Sequence, residues 1–496
     1  MPASSKRALQ WLSLVGIIWL QSISGTNTNF PAYSSQLKHA LSMSQLQLNN
    51  LAFASDAGKL FGWFAGLAAV YLPLWLVLMI GSSLGLVGYG LQYLSVTNQI
   101  PTLSYWQIFC LTVLAGNSIC WINTVSYVVS IRNFPHHRQT AVGLTTSYQG
   151  LSAKIYTDVV GALFSINSTK KARGYLLLNS VLPLLACVIT SPFVRGIDEI
   201  GRPYKNMDAG FVIMFVITLV TGVYSVISSL GLLVSSSALI NNVIGTGVLL
   251  LAPLAIPAAE KIRGVISEKW NLNRERRVYD FTIEESGGIR VGDRDLGVKD
   301  EEGDDHDDDI VGCDTWFGVL EQLGTIAESR GSSRTSSLVS LSSSLGSLAV
   351  SCLLSLIITS QVCDFKTGIN SGVGGSNGRI FFLLLNQTTL NLYISTAIIG
   401  VCTGAITSVS VSTTQELFGT KNFSVNHNVL VANIPIGSFL FGYLAALLYR
   451  KEGNGDGKCM GMECYRSTFV IWGSICCLGT VLALVLYFRT RKFYSR

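Results

Sequence analysis

The chain has 496 residues, of which 49% are hydrophobic and only 13% charged, and its mean hydropathy is +0.45. Soluble domains carry about 25% charged residues, so this balance excludes the soluble globular class and points to a protein built largely within lipid. The +6 net charge is spread over short polar joints rather than gathered in a patch, which argues against a nucleic-acid-binding surface.

Apolar runs of roughly 20 residues, the length of a bilayer-crossing helix, recur along the whole chain. They predict spans at about 9–27, 48–69, 72–94, 105–130, 141–166 and 173–194, then 210–234 and 238–260, and finally 338–362, 380–410, 429–449 and 467–489. The fold class is therefore an all-α polytopic membrane protein with about twelve transmembrane helices. Lys6 and Arg7 ahead of the first run imitate a signal peptide, but the run continues into polar GTNTNF without an A-x-A-like site, so it is read as a span. Four regions follow from the composition: a transmembrane bundle over 1–207, two further helices over 208–262, a charged Ser-rich loop over 263–337, and a second bundle over 338–496.

The loop carries DEEGDDHDDD from Asp300 to Asp309 and then SRGSSRTSSL, with too few apolar residues to offset its ordering entropy; it is read as a disordered tether. EF-hand spacing is missing from its acidic run. Arg330 and Arg334 among the serines are a candidate segment for phosphorylation or protein binding. Basic residues in the short joints (Arg132, His136, His137, Arg138, Lys421, the Arg195–Lys205 joint and the tail) place both termini in the cytosol. Lys170, Lys171, Arg173, Lys451 and Arg466 are the exceptions. On this topology Asn167 heads an outside glycosylation sequon, and Cys459 and Cys464 face the non-cytosolic side, where a disulfide can form. Most of the eleven cysteines sit singly in apolar runs and match neither a disulfide scaffold nor a zinc site.

No nucleophile elbow, zinc helix motif, phosphate loop or Cys/His metal set occurs, so neither an enzyme nor a cofactor is expected. His39, His136, His137, His306 and His427 all fall in predicted joints and loops. The chemistry then rests on polar residues inside spans. The stretch Leu48–Gly66 reads as one membrane helix carrying Asp56 and Lys59; an ionisable group there costs several kcal/mol unless it faces a polar interior or a partner. Gly58, Gly62 and Gly66 recur every fourth residue on it, a stripe for close helix packing. In the fifth span Lys154 and Asp158 lie four apart, on one helical face, after Tyr148 and Gln149. Two readings stay open for both pairs: self-neutralising ion pairs, or parts of a solute or proton path. Asn27 at the end of the first span and Asn123 in the fourth complete the candidate set. The later spans hold almost no charge, so a charged site would draw on the first half.

Several stretches resemble the plant nodulin-like family, of the nuclear-fusion-defective type, within the major facilitator superfamily. They are GTNTNFPAYSSQLK with the LSMSQLQLNNLAFASDAGKLFGWFAGLAAVYLP that follows, IRNFPHHRQTAVGLTTSYQGLSAKIYT, ELFGTKNFSVNHN, and CYRSTFVIWG near the end. The resemblance covers about 9–260 and about 390 onward. It implies a two-bundle facilitator fold and a secondary carrier that moves a small solute by alternating access. A more distant similarity to organic-anion and monocarboxylate carriers implies an organic anion, with proton coupling. For such a carrier Asp56 is the expected proton or cation acceptor, with Lys59 its partner or an anion contact, and Lys154–Asp158 a second, gated pair that changes partners. One departure stands out: span-length material expected after the charged loop is reduced to TWFGVLEQLGTIAESRG. This implies an incomplete second bundle, and a receptor-like or scaffold protein acting through its loop as the alternative.

Overall fold

The structure, a computed structural model, describes residues 3–164, 168–197, 207–230, 236–266, 326–327, 329–330, 335–359, 381, 383–386, 388–420, 422–452, 461 and 463–494. Every regular element among them is helical. The first half comprises α1 (Ala3–Ser24), α2 (Ser34–Ala40), α3 (Gln45–Ala57), α4 (Gly62–Tyr71), α5 (Leu74–Val96), α6 (Tyr105–Asn133), α7 (Arg138–Gln149), α8 (Ser152–Leu163) and α9 (Ser168–Thr190). Next come α10 (Met207–Ser229) and α11 (Ser236–Leu251). The second half comprises α12 (Thr335–Thr359), α13 (Thr389–Phe418), α14 (Phe423–Val431), α15 (Asn433–Glu452) and α16 (Glu463–Tyr494).

Among the described residues, seven helical stretches are long and apolar enough to cross a bilayer: Leu74–Val96, Tyr105–Asn133, Lys171–Thr190, Ala209–Ser229, Ile240–Ile266, Thr389–Ser408 and Phe423–Glu452. The other five expected stretches are also helical, and two of them are broken. The helices are patterned inside out. On α10, Val212, Ile213, Val216, Val220, Val223 and Ile227 are exposed along one stripe, while Thr218, Thr221, Ser225, Ser228 and Ser229 are buried. That is the reverse of a soluble helix and suits a lipid solvent. The buried hydroxyls stay satisfied by their own backbone, as in Thr218 Oγ1 to the Met214 carbonyl at 2.8 Å and Thr221 Oγ1 to that of Ile217 at 2.7 Å.

Without a hydrophobic drive between helices in lipid, close approach has to supply the packing energy. Here glycine permits it. A Cβ on Gly116 of α6 would lie 1.9 Å from the Ser55 carbonyl oxygen of α3, and one on Gly58 would lie 2.3 Å from that of Val113. In the second half, α12 and α13 cross in the same manner, a Cβ on Gly404 falling 2.2 Å from the Gly346 carbonyl.

The two halves meet along two seams. In one, α3 and α4 pack on α14 and α15; the Phe53 and Phe439 rings lie 4.9 Å apart and Ser424 Oγ donates to the Gly66 carbonyl at 3.2 Å. In the other, α7 and α8 pack on α12, the hydroxyls of Thr157 and Ser340 sharing a hydrogen bond. α10 lies against α12 and α7, and α11 against α8.

Three expectations need correction. The 48–69 stretch is not one helix: α3 ends at Ala57, a single 3₁₀ turn occupies Gly58–Phe61, and α4 begins at Gly62. Two glycines bracket that turn where helix preference is weakest, and contact with α6 fixes it. The fifth span is likewise broken between Gln149 and Ser152. The 380–410 run is not one helix: Phe381 and Leu383 are helical, the chain turns at 384–386, and a second helix starts at Thr389, capped by the Thr388 side chain, and continues to Phe418, where Gly419 at φ +67° leads the chain out. Cys464 is disulfide-bonded. Cys459, Asn167, Lys421 and nearly all of the charged loop lie outside the described residues.

The glycine crossing generates a first prediction. Gly58→Ala forces α3 from α6 and lowers stability by about 1–3 kcal/mol, read as a drop in melting midpoint of the detergent-purified protein. Gly247→Ala, where a Cβ meets nothing within 4 Å, leaves the midpoint within about 0.5 kcal/mol of the parent.

Candidate functional site

The two breaks face the same space. A cavity of about 140 Å³ lies between the halves, with Asp56 from the end of α3 and Gln149 and Gly150 from the α7–α8 break on one side. Its opposite wall comes from α12 and α13. On α13 the lining residues are Gly400, Thr403, Gly404 and Thr407, spaced as one helical face. On α12, Ser342, Ser343 and Gly346 play the same part. Ser343 donates its hydroxyl to the Gly150 carbonyl, an acceptor freed by the break. Asn27, just past the end of α1, closes the first-half wall.

The charge arrangement is compact. Asp56 is fully buried and Lys59 is 6% exposed. Lys59 Nζ donates to Asp56 Oδ1, and Asn27 Nδ2 donates to the same oxygen at 3.2 Å. Residues three apart are neighbours on a helical surface, so Lys59 in the 3₁₀ turn reaches back to Asp56 in the last turn of α3. Asp56 Oδ2 has no hydrogen-bond partner among the described residues. The pair is thus neutral overall and keeps one acceptor oxygen unused.

The other sequence candidates separate from this group. Lys154 and Asp158 pair with each other at 2.6 Å within α8, both buried. Tyr148 points to α10, its hydroxyl within hydrogen-bond distance of Thr218 Oγ1 at 3.3 Å. None of these three, nor Asn123, lines the cavity among the described residues; Asn123 Oδ1 is buried without a hydrogen-bond partner. Gly62 and Gly66 lie against α14, where a Cβ would come within 2.9 Å of Asn428 Oδ1 and 2.6 Å of the Ser424 carbonyl.

Sequence reasoning misses two features. The hydroxyl and glycine face of α12 and α13 escapes a search for charge, although its i, i+3, i+4, i+7 spacing is in the sequence. His427, expected in a loop, lies instead in α14, 6% exposed, its ring stacked on Phe423 at 5.3 Å and edge-on to Tyr127 at 5.1 Å. Tyr127 in turn donates to Gln149 Oε1 at 3.3 Å, which links this seam to the cavity wall.

Residues 10–258 match the family model described as Nodulin-like. The chain belongs to the nodulin-like family. Residues 310–496 match a second model, described as NFD4, C-terminal domain. A nodulin-like relative, Protein NUCLEAR FUSION DEFECTIVE 4 of Arabidopsis thaliana, is 35% identical over 542 residues, covering 98% of this chain and 90% of the relative. That aligned length exceeds the 496 residues present here, so the relative has stretches with no counterpart in this chain. Among solved structures, the major facilitator superfamily proton:xylose symporter XylE bound to 6-bromo-6-deoxy-D-glucose aligns with a TM-score of 0.55 at 10% identity, covering 98% of this chain and 97% of that one. A bacterial homologue of the human drug peptide transporters aligns at 0.54 and 13%, covering 98% and 99%. At such identities the likeness shows the fold, which is the major facilitator type, and this nodulin-like chain is an integral multi-pass membrane protein.

The pair generates a second prediction. Lys59→Met leaves a buried carboxylate without its counter-charge and destabilises by about 3–5 kcal/mol, whereas Asp56→Asn with Lys59→Met returns to within about 1 kcal/mol of the parent. Melting midpoints of the purified variants measure both.

Proposed function

We propose that this nodulin-like protein is a secondary carrier that moves a small solute through the cavity between its halves by alternating access, with both termini cytosolic. The observation that carries the reading is that two interrupted helices, α3–α4 and α7–α8, open onto one cavity across from the second half. Non-helical backbone at membrane depth is tolerated where it lines a polar path, and facilitator-type carriers place their sites at such breaks. The fold neighbours, among them a proton:xylose symporter and transporters of peptides, support a solute carrier.

Cross-half contacts lie on either side of the cavity along α3–α4: Phe53 with Phe439 before Asp56, and Gly66 with Ser424 beyond it. Rocking would open either of these contacts while keeping the other. Within this reading Asp56 is the proton acceptor, because its buried Oδ2 has no hydrogen-bond partner among the described residues and can take the proton. Lys154 and Asp158 act as a neutralised pair beside the α8–α12 seam. An organic anion, the class implied by distant resemblance, would meet a carboxylate in this cavity rather than an ammonium.

A third prediction follows. Spin labels at the exposed Trp106 and Leu447 near one end, and in a separate variant at the exposed Val70 and Val429 near the other, report two distances each in liposomes. Shifting pH moves the two populations in opposite directions. A single unchanging distance at both ends would instead mark a static scaffold.

A further inference from the structure

We infer that the cavity selects a small, uncharged, hydroxyl-rich solute of the polyol class; this deepens the carrier reading and rests on it.

The first argument is electrostatic. Asp56 is the one charged residue among the described residues that line the cavity, and it is already neutralised by Lys59. A solute anion would be placed against the Asp56 carboxylate, while Lys59, whose ammonium is engaged with that carboxylate, is not among the lining residues. A solute cation would bring in a charge that an already neutral pair cannot match. An uncompensated ion taken out of water against this lining carries a desolvation penalty, which an uncharged solute avoids.

The second argument is the pattern of donors and acceptors. Asp56, a lining residue, has its Oδ2 buried with no hydrogen-bond partner among the described residues, an acceptor-only oxygen that a donor would satisfy. On the α13 wall, Thr403 and Thr407 direct their hydroxyl hydrogens to the Ile399 and Thr403 carbonyls at 2.9 and 2.8 Å. Their oxygens keep lone pairs able to accept. Asn27 and Gln149 add amides that both donate and accept. Acceptors therefore outnumber uncommitted donors, which favours a solute rich in O–H groups over one rich in carboxylate oxygens. Most of the exposed lining is apolar, with Val339, Val350 and Pro31 contributing surface for the C–H faces of such a molecule.

The test uses the full chain in proteoliposomes, with tracer uptake of three probe classes at micromolar concentration: ribitol and myo-inositol, lactate, and choline. Saturable uptake of a polyol, not competed by excess lactate or choline, is the expected result. Thr403→Val and Thr407→Val each remove one lining hydroxyl without changing shape and should raise the half-saturating polyol concentration about two- to tenfold, with the melting midpoint unchanged. Asp56→Asn is the stronger variant, but it leaves Lys59 unneutralised; the threonine variants keep the test sound should Asp56→Asn fail to fold. Saturable uptake of lactate or choline without polyol uptake overturns the solute class and leaves the carrier reading standing. Polyol uptake indifferent to both threonine variants also overturns this assignment of the site. Uptake of none of the probes, together with the absence of two-state label distances, overturns the carrier reading and this inference with it.

Discussion

A charge held in hydrocarbon must have its counter-charge within reach, because the solvent that would stabilise it is gone. In this protein that constraint is met locally, by Asp56 at the end of α3 and Lys59 in the 3₁₀ turn that follows. The ammonium occupies Asp56 Oδ1 together with Asn27. Among the described cavity-lining residues, the second half supplies only hydroxyls, glycine backbone and apolar surface. Lys154 and Asp158 follow the same rule one turn apart on α8. The lopsided distribution of charge along the chain is therefore compatible with a complete cavity wall, since the halves meet through uncharged contacts.

Packing and site are two aspects of one arrangement. Gly58 lets α3 approach α6 so closely that any side chain would collide with backbone, and the 3₁₀ turn begins at that residue. The turn carries Lys59 just beyond Asp56, and α4 after it packs on α14. Gly150 has an equivalent role on the second seam: Ser343 captures its carbonyl, and a Cβ there would lie 2.8 Å from the Ser347 backbone nitrogen. Each break thus places a glycine against a neighbouring helix and a polar group against the cavity.

Much of this is legible in the sequence. Apolar runs locate the helices, because a bilayer imposes length and hydropathy on each span. Asp56 and Lys59 stand out as charges in lipid, and the glycines as a stripe. The breaks are not legible, since hydropathy reports burial in lipid and is indifferent to whether a helix tightens for one turn. His427 is misplaced for a related reason: the polar stretch around KNFSVNHN reads as a joint, yet α14 begins within it and packs that face against Tyr127 and α4 rather than water. The far wall of the cavity is hidden by chemistry. Ser and Thr satisfied by their own helix look alike in sequence whether they face a neighbour or an open space, and only the crossing of α12 with α13 shows which do so.

The central claim is that the space beside Asp56 is a transport path reached in turn from both faces of the membrane. Its most direct measurement places one cysteine at Thr403 in an otherwise cysteine-depleted chain and applies a membrane-impermeant thiol reagent from each side of oriented vesicles. The account predicts labelling from either side, with occupancy by a transported solute slowing both reactions. Labelling from one side alone, or from neither, would contradict it.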